Sequence, residues 1–128
     1  MTYYYSKVLD MPLPQAVERT KVVLSEHGFG VVTEIDMMTT LKNKIGAEIE
    51  PYQILGACSP KHAYAALQSE PHIGLMLPCN VIVREIEPGK SEVSAVDPVA
   101  SMQAIENTDL IGVASEVQRL LHETIDDL

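Results

Sequence analysis

Apolar and polar positions along the chain fall into segments of two periods, separated by residues that favour turns. Tyr3 to Leu9 reads as an opening strand. Beyond Pro12 and Pro14, which suit the entrance of a helix, apolar residues recur at Leu13, Ala16, Val17, Val23 and Leu24 with a 3.6-residue period, and Gly28 stops the helix. Phe29 to Ile35 is rich in β-branched residues and predicts a second strand. Asp36 then offers an N-cap to a short helix through Met37, Leu41 and Ile45, which Gly46 ends.

Glu48 to Pro51 is a polar loop, and Tyr52 to Cys58 has the length and composition of a largely buried strand. Ser59 and Pro60 open a helix with Ala63, Ala66 and Leu67 on its buried side, and Pro71 closes it. Ile73 to Glu87 reads as one long strand bent near Pro78, because proline cannot donate to a central ladder. Pro88-Gly89 makes a turn and Ser91 to Val96 returns as a strand. The last helix carries an amphipathic stripe of Leu110, Val113, Val117, Leu120, Leu121, Thr124 and Ile125. A hairpin at Pro88-Gly89 requires antiparallel pairing. The expectation is therefore a single α+β domain over residues 1–128, with a mixed, mostly antiparallel sheet covered on one face by two long helices. The apolar run from Ile73 to Val83 leaves surface that self-association would hide.

Composition narrows the partners. The 128 residues fit one domain, and 46% apolar residues can build a core without metal or disulfide staples. Nine Lys plus Arg against eighteen Asp plus Glu give a net charge of −9, which repels phosphate backbones and anionic membrane surfaces. Neither nucleic acid nor membrane is an expected partner. The first residues lack the basic stretch and apolar core of a secretory signal, and Ile73 to Val83 falls far short of the ~20 residues of a membrane helix. Two cysteines without a disulfide framework point to the reducing cytoplasm.

No phosphate loop, nucleophile elbow or paired-carboxylate arrangement is present, so nothing here decides whether the protein is an enzyme or names a cofactor. Glu34 and Asp36 read first as a strand-end charge and a helix cap. His27, His62, His72 and His122 are dispersed; Cys58, His62 and Cys79 could supply thiolate and imidazole ligands only if the fold gathered them, and no metal site is expected. Cys58 stands where a strand turns into a helix, a position that can activate a thiol. Cys79 follows Pro78 at the bend, beside Asn80, whose amide can donate or accept. Both cysteines also fit the ordinary role of small buried apolar residues.

Five stretches together make the chain resemble the family known as domain of unknown function 302. They are Gly28 to Asp36, Thr40-Leu41-Lys42, Tyr52 to Pro60, Ala65-Ala66-Leu67, and Ile73 to Val81. Where members typically carry Asn this chain has Ser59, also a helix-capping type. The resemblance implies a small prokaryotic α+β protein, commonly a homodimer. It also sets the family's two cysteine-bearing motifs on Cys58 and Cys79, with Glu34, Pro78 and Asn80 in matching positions. A homodimeric binding or sensing module, with a small-ligand pocket near Cys58, Cys79, Asn80, Glu34 and His62, is the leading functional expectation. A thiol-based redox protein or enzyme using Cys58 and Cys79, and an interaction domain without a small ligand, are the alternatives.

Overall fold

The computed structural model describes residues 2–128. Its elements run β1 (Tyr4–Leu9), α1 (Leu13–Glu26), β2 (Gly30–Asp36), α2 (Met37–Ile45), β3 (Tyr52–Cys58), α3 (Pro60–Ser69), a 3-10 helix (Pro71–Met76), β4 (Cys79–Glu87), β5 (Lys90–Val96), α4 (Pro98–Ser101) and α5 (Thr108–Asp126). The strands form one sheet in the order β1-β5-β4-β3-β2. Every pairing is antiparallel, so the α+β expectation holds and the mixed sheet resolves into a purely antiparallel one.

Local chemistry explains most boundaries. Asp36 caps α2 by accepting from the Thr39 amide at 3.0 Å, and Gly46, with φ at +68°, ends that helix as only glycine does without strain. At the end of α1, Gly28 has φ at +87° and the Phe29 amide donates back to Leu24 O at 3.0 Å, closing the last turn. Asn107 opens α5 by accepting from the Asp109 amide, and its own Nδ2 donates to Ser69 O at 2.8 Å, which ties α5 to the end of α3.

One sheet face packs on α1 and α5. Leu9, Leu55, Ala57, Cys79, Val81, Val83, Val93 and Ala95 from the strands meet Ala16, Val17 and Leu24 of α1 and Val117, Leu121 and Ile125 of α5. A smaller cluster of Ala66, Ile73 and Leu110 joins α3, the 3-10 helix and the start of α5. Beyond the sheet, α1 and α5 are also joined at their ends, where His27 Nε2 meets Asp127 Oδ2 at 2.7 Å.

Two expectations fail. Ile73 to Met76 are not strand: Pro71 sits in the first turn of a 3-10 helix, the Glu70 carboxylate accepts from the His72 amide, and Ile73 is fully buried in the second cluster. An apolar run serves a buried helical turn as well as a strand, and Pro78, with no N–H, delays the ladder until Cys79. Ser59 holds the N-cap position of α3, but its hydroxyl bonds the His62 ring in place of a helix amide. Among the described residues, no helix is long and apolar enough to cross a membrane.

Candidate functional site

The two long helices leave the other face of the sheet uncovered, and strand alternation decides which side chains stand there. Leu55 and Ala57 face the helices, so Tyr52, Ile54, Gly56 and Cys58 face outward; likewise Asn80, Ile82 and Arg84 of β4, Glu92, Ser94 and Val96 of β5, and Tyr4, Ser6 and Val8 of β1. The register lines these up in rows. Tyr52, Arg84, Glu92 and Val8 form one, Ile54, Ile82, Ser94 and Ser6 the next, and Gly56 pairs with Asn80 in a third.

A groove of about 410 Å³ lies across these rows. Tyr3, Tyr4 and Tyr52 give it aromatic walls, Ile82 and Val96 lie at its floor, and Asn80 projects into it. Tyr3 and Tyr4 stand edge to face, with ring centroids 5.2 Å apart. Arg84 Nε donates to Glu92 Oε1 at 2.8 Å, and this one contact leaves both Nη groups and the second carboxylate oxygen without a partner among the described residues. Neighbouring Ser94 and Ser6 share a hydroxyl hydrogen bond of 2.6 Å. A smaller cleft of about 220 Å³ adjoins the groove through Asn80 and Val96, and Leu75 and Met76 of the 3-10 helix line it.

The five residues picked out by sequence do not share a face. Asn80 is in the groove, and Cys58 stands on the same face at the end of β3 without lining it. Cys79 is opposite Ala57 in the core. The register thus offsets the two cysteines by one residue, and alternation points them to opposite faces, an unfavourable geometry for a direct bridge. Both are free thiols. Burial, with a smaller contribution from nearby Cys58, pushes the Cys79 thiol up to about 11, so it stays protonated at neutral pH.

Glu34 lies on the helix-covered side at the β2 edge, where Lys21 Nζ at 2.9 Å and Gln53 Nε2 at 2.9 Å both hold its Oε1. The Lys21 ammonium is raised in turn, chiefly by its hydrogen bond to Glu34. His62 belongs to α3, its Nδ1 2.7 Å from Ser59 Oγ. Burial, then the charge of Lys61, holds its ring below the ordinary imidazole value, while Glu116 opposes them. Among the described residues, no group of three His, Cys, Asp or Glu side chains comes together to hold a metal ion.

A family model described as "Domain of unknown function DUF302" matches residues 5–128. The chain belongs to the DUF302 family. A solved structure, an uncharacterised conserved DUF302 protein from Bacillus stearothermophilus, superposes with a TM-score of 0.90 at 23% identity, covering 98% of each chain. At that identity the likeness speaks for the fold alone. No curated protein matches the chain. For this DUF302 chain the groove residues Arg84, Glu92 and Ser94 escaped sequence reading because no motif marks them, and Tyr52 reads only as the start of a buried strand. The signal available was the Pro88-Gly89 turn, which marks the hairpin, but the irregularity between Glu85 and Glu87 shifts the register by one residue and brings Arg84 opposite Glu92.

Proposed function

We propose that this protein is a homodimeric module that binds a small molecule in the groove on its open sheet face. The observation that carries the reading is charge. In a chain of net charge −9, the charged strand residues of this face among the described residues balance in two pairs, Arg84 with Glu92 and, at the hairpin end, Lys90 with Glu87, so the face carries no net charge. A groove of about 410 Å³ falls within the range of small-molecule sites, roughly 300–1,000 Å³, and combines aromatic walls with a few unpartnered polar groups.

The same neutrality favours a second copy of the chain as the cover of this face. Two acidic molecules repel elsewhere, but here they meet across a two-fold axis without net charge. Tyr4, Val8 and Ile35 are exposed apolar residues on it. Five strands of about six residues span roughly 24 by 20 Å, a projected area of about 480 Å² and more than half of the ~800 Å² that each partner contributes to a stable dimer. A cover of this kind turns the open groove into a chamber. Two unpaired cysteines support a cytoplasmic location.

Thiol chemistry has less support, since Cys79 is buried and protonated and points away from Cys58. Native mass spectrometry of freshly purified protein tests the reading. It is expected to find a dimer with a retained small molecule, the molecule lost in Asn80→Leu and the dimer lost in Ile54→Arg. A bare monomer contradicts both halves of the proposal, and a bare dimer unaffected by reductant favours an interaction domain without a ligand.

A further inference from the structure

Resting on that binding-groove reading, the geometry points to a ligand class: a neutral, planar heteroaromatic ring with a lactam edge, a carbonyl beside a ring N–H, and no phosphate. Three features of the groove select it. The first is shape, since the tyrosine rings at its walls and the apolar floor of Ile82 and Val96 favour a flat, stacked body over a branched one. Because Tyr3 and Tyr4 are held edge to face at 74°, only one of them can lie parallel to a bound ring while the other meets it edge-on.

The second is the order of donors and acceptors. Arg84 and Glu92 are directly opposite each other on neighbouring strands and are joined through Nε alone. The groove therefore presents guanidinium N–H donors beside a free carboxylate oxygen. A lactam edge is the complement: its carbonyl accepts from the Arg84 Nη groups, and its N–H donates to Glu92. Asn80, which can both donate and accept, stands two residues along β4 from Ile82 and gives a second point of attachment for a ring of two fused cycles.

The third is charge. Arg84 is neutralised by Glu92 and the molecule carries −9 overall, so a phosphate or carboxylate on the ligand meets no unbalanced cation and the repulsion of the whole surface. A turned adenine-type ring can also meet the pair, but with a single amino donor, whereas a guanine-type edge sets two adjacent N–H donors beside its carbonyl and so can engage both carboxylate oxygens of Glu92. The match is to the chemistry of guanine- and pterin-type rings.

The test is isothermal titration of the intact protein with guanosine, adenosine, guanosine monophosphate and naphthol. Guanosine is expected to bind at least about tenfold more tightly than adenosine, guanosine monophosphate or naphthol. Glu92→Leu and Arg84→Leu each should remove that preference while circular dichroism remains that of the parent, because Arg84 is exposed, Glu92 is half-buried and both lie outside the core. Equal affinity for adenosine or naphthol overturns the lactam assignment and leaves the binding-groove reading standing. Tighter binding of the monophosphate overturns the charge argument and the assignment with it. Failure of all four probes to bind the folded protein overturns the assignment and the groove reading together.

Discussion

At Gly56 the open face has no room for a side chain. A Cβ there would overlap Thr33 Oγ1 and lie 2.6 Å from Pro78 Cγ, so the Pro78 ring and the bulged part of β2 close over β3 only because a hydrogen is all that β3 presents. Gly56→Ala is expected to cost about 1–3 kcal/mol, as an overpacked site does. Urea unfolding measures it, and a midpoint equal to that of the parent would show that the proline shifts freely.

The two thiols differ for an equally local reason. Cys79 sits among core residues while Cys58 is only half-buried at the end of its strand. A maleimide is expected to modify Cys58 well before Cys79 in the native protein, with the order read by peptide mass. The raised Cys79 value also has a sign. The folded state holds its proton above the ordinary thiol value of 9.0 and up to about 11, so this contribution is intact below pH 9 and is lost as pH rises towards 11. Two units correspond to about 3 kcal/mol as an order of magnitude. The fall in unfolding free energy over that window should be smaller in Cys79→Ala than in the parent.

Among the elements, α2 depends most on its ends. None of its residues is buried, so the Asp36 cap and the Gly46 stop carry a larger share of its order than they would in a helix that also packs on the core. Hydrogen bonds from the Thr39 amide and hydroxyl hold the Asp36 carboxyl below its ordinary value. The cap is complete above the ordinary carboxylate range and is lost as pH falls through the lowered value. Hydrogen exchange of the α2 amides should therefore quicken in Asp36→Ala at neutral pH, with α5 unaffected.

Elements with two independent signals were legible in sequence. For α2 these were a cap and a stop, for the β4–β5 turn Pro88-Gly89, and for α5 a stripe along a 19-residue helix whose Val117, Leu121 and Ile125 reach the main core and Leu110 the smaller cluster. The stretch from Ile73 to Met76 carried one signal, hydrophobicity, which does not separate a strand from a buried turn. The short α4 went unseen because its signal, Asp97 accepting from the Val99 and Ala100 amides just before Pro98, spans four residues only. The candidate site was less legible still. Asn80 was named for its place beside Cys79, but its partners Tyr52, Arg84 and Glu92 come from three strands, and only their register assembles them.

For the molecule as a whole, folding separates two kinds of surface. Acidic residues outnumber basic ones two to one over the molecule, while on the open sheet face Arg84 is matched by Glu92 and Lys90 by Glu87, beside aromatic and aliphatic side chains. Such separation is useful to a protein that must stay soluble and still present one face for recognition. If a second copy covers that face, sedimentation of the parent should give twice the chain mass and that of Ile54→Arg the chain mass, with both samples equally folded.

The central claim, that recognition takes place on this face, is tested most directly by an amide chemical-shift map of the isotope-labelled protein titrated with guanosine. The account predicts that shifts concentrate on β1, β5, β4 and β3 around Tyr4, Ser94, Asn80 and Tyr52, and leave α1 and the centre of α5 unmoved. Shifts confined to α1 and the acidic cleft beside Lys21 and Glu34, or to the α3 region around His62, would contradict it.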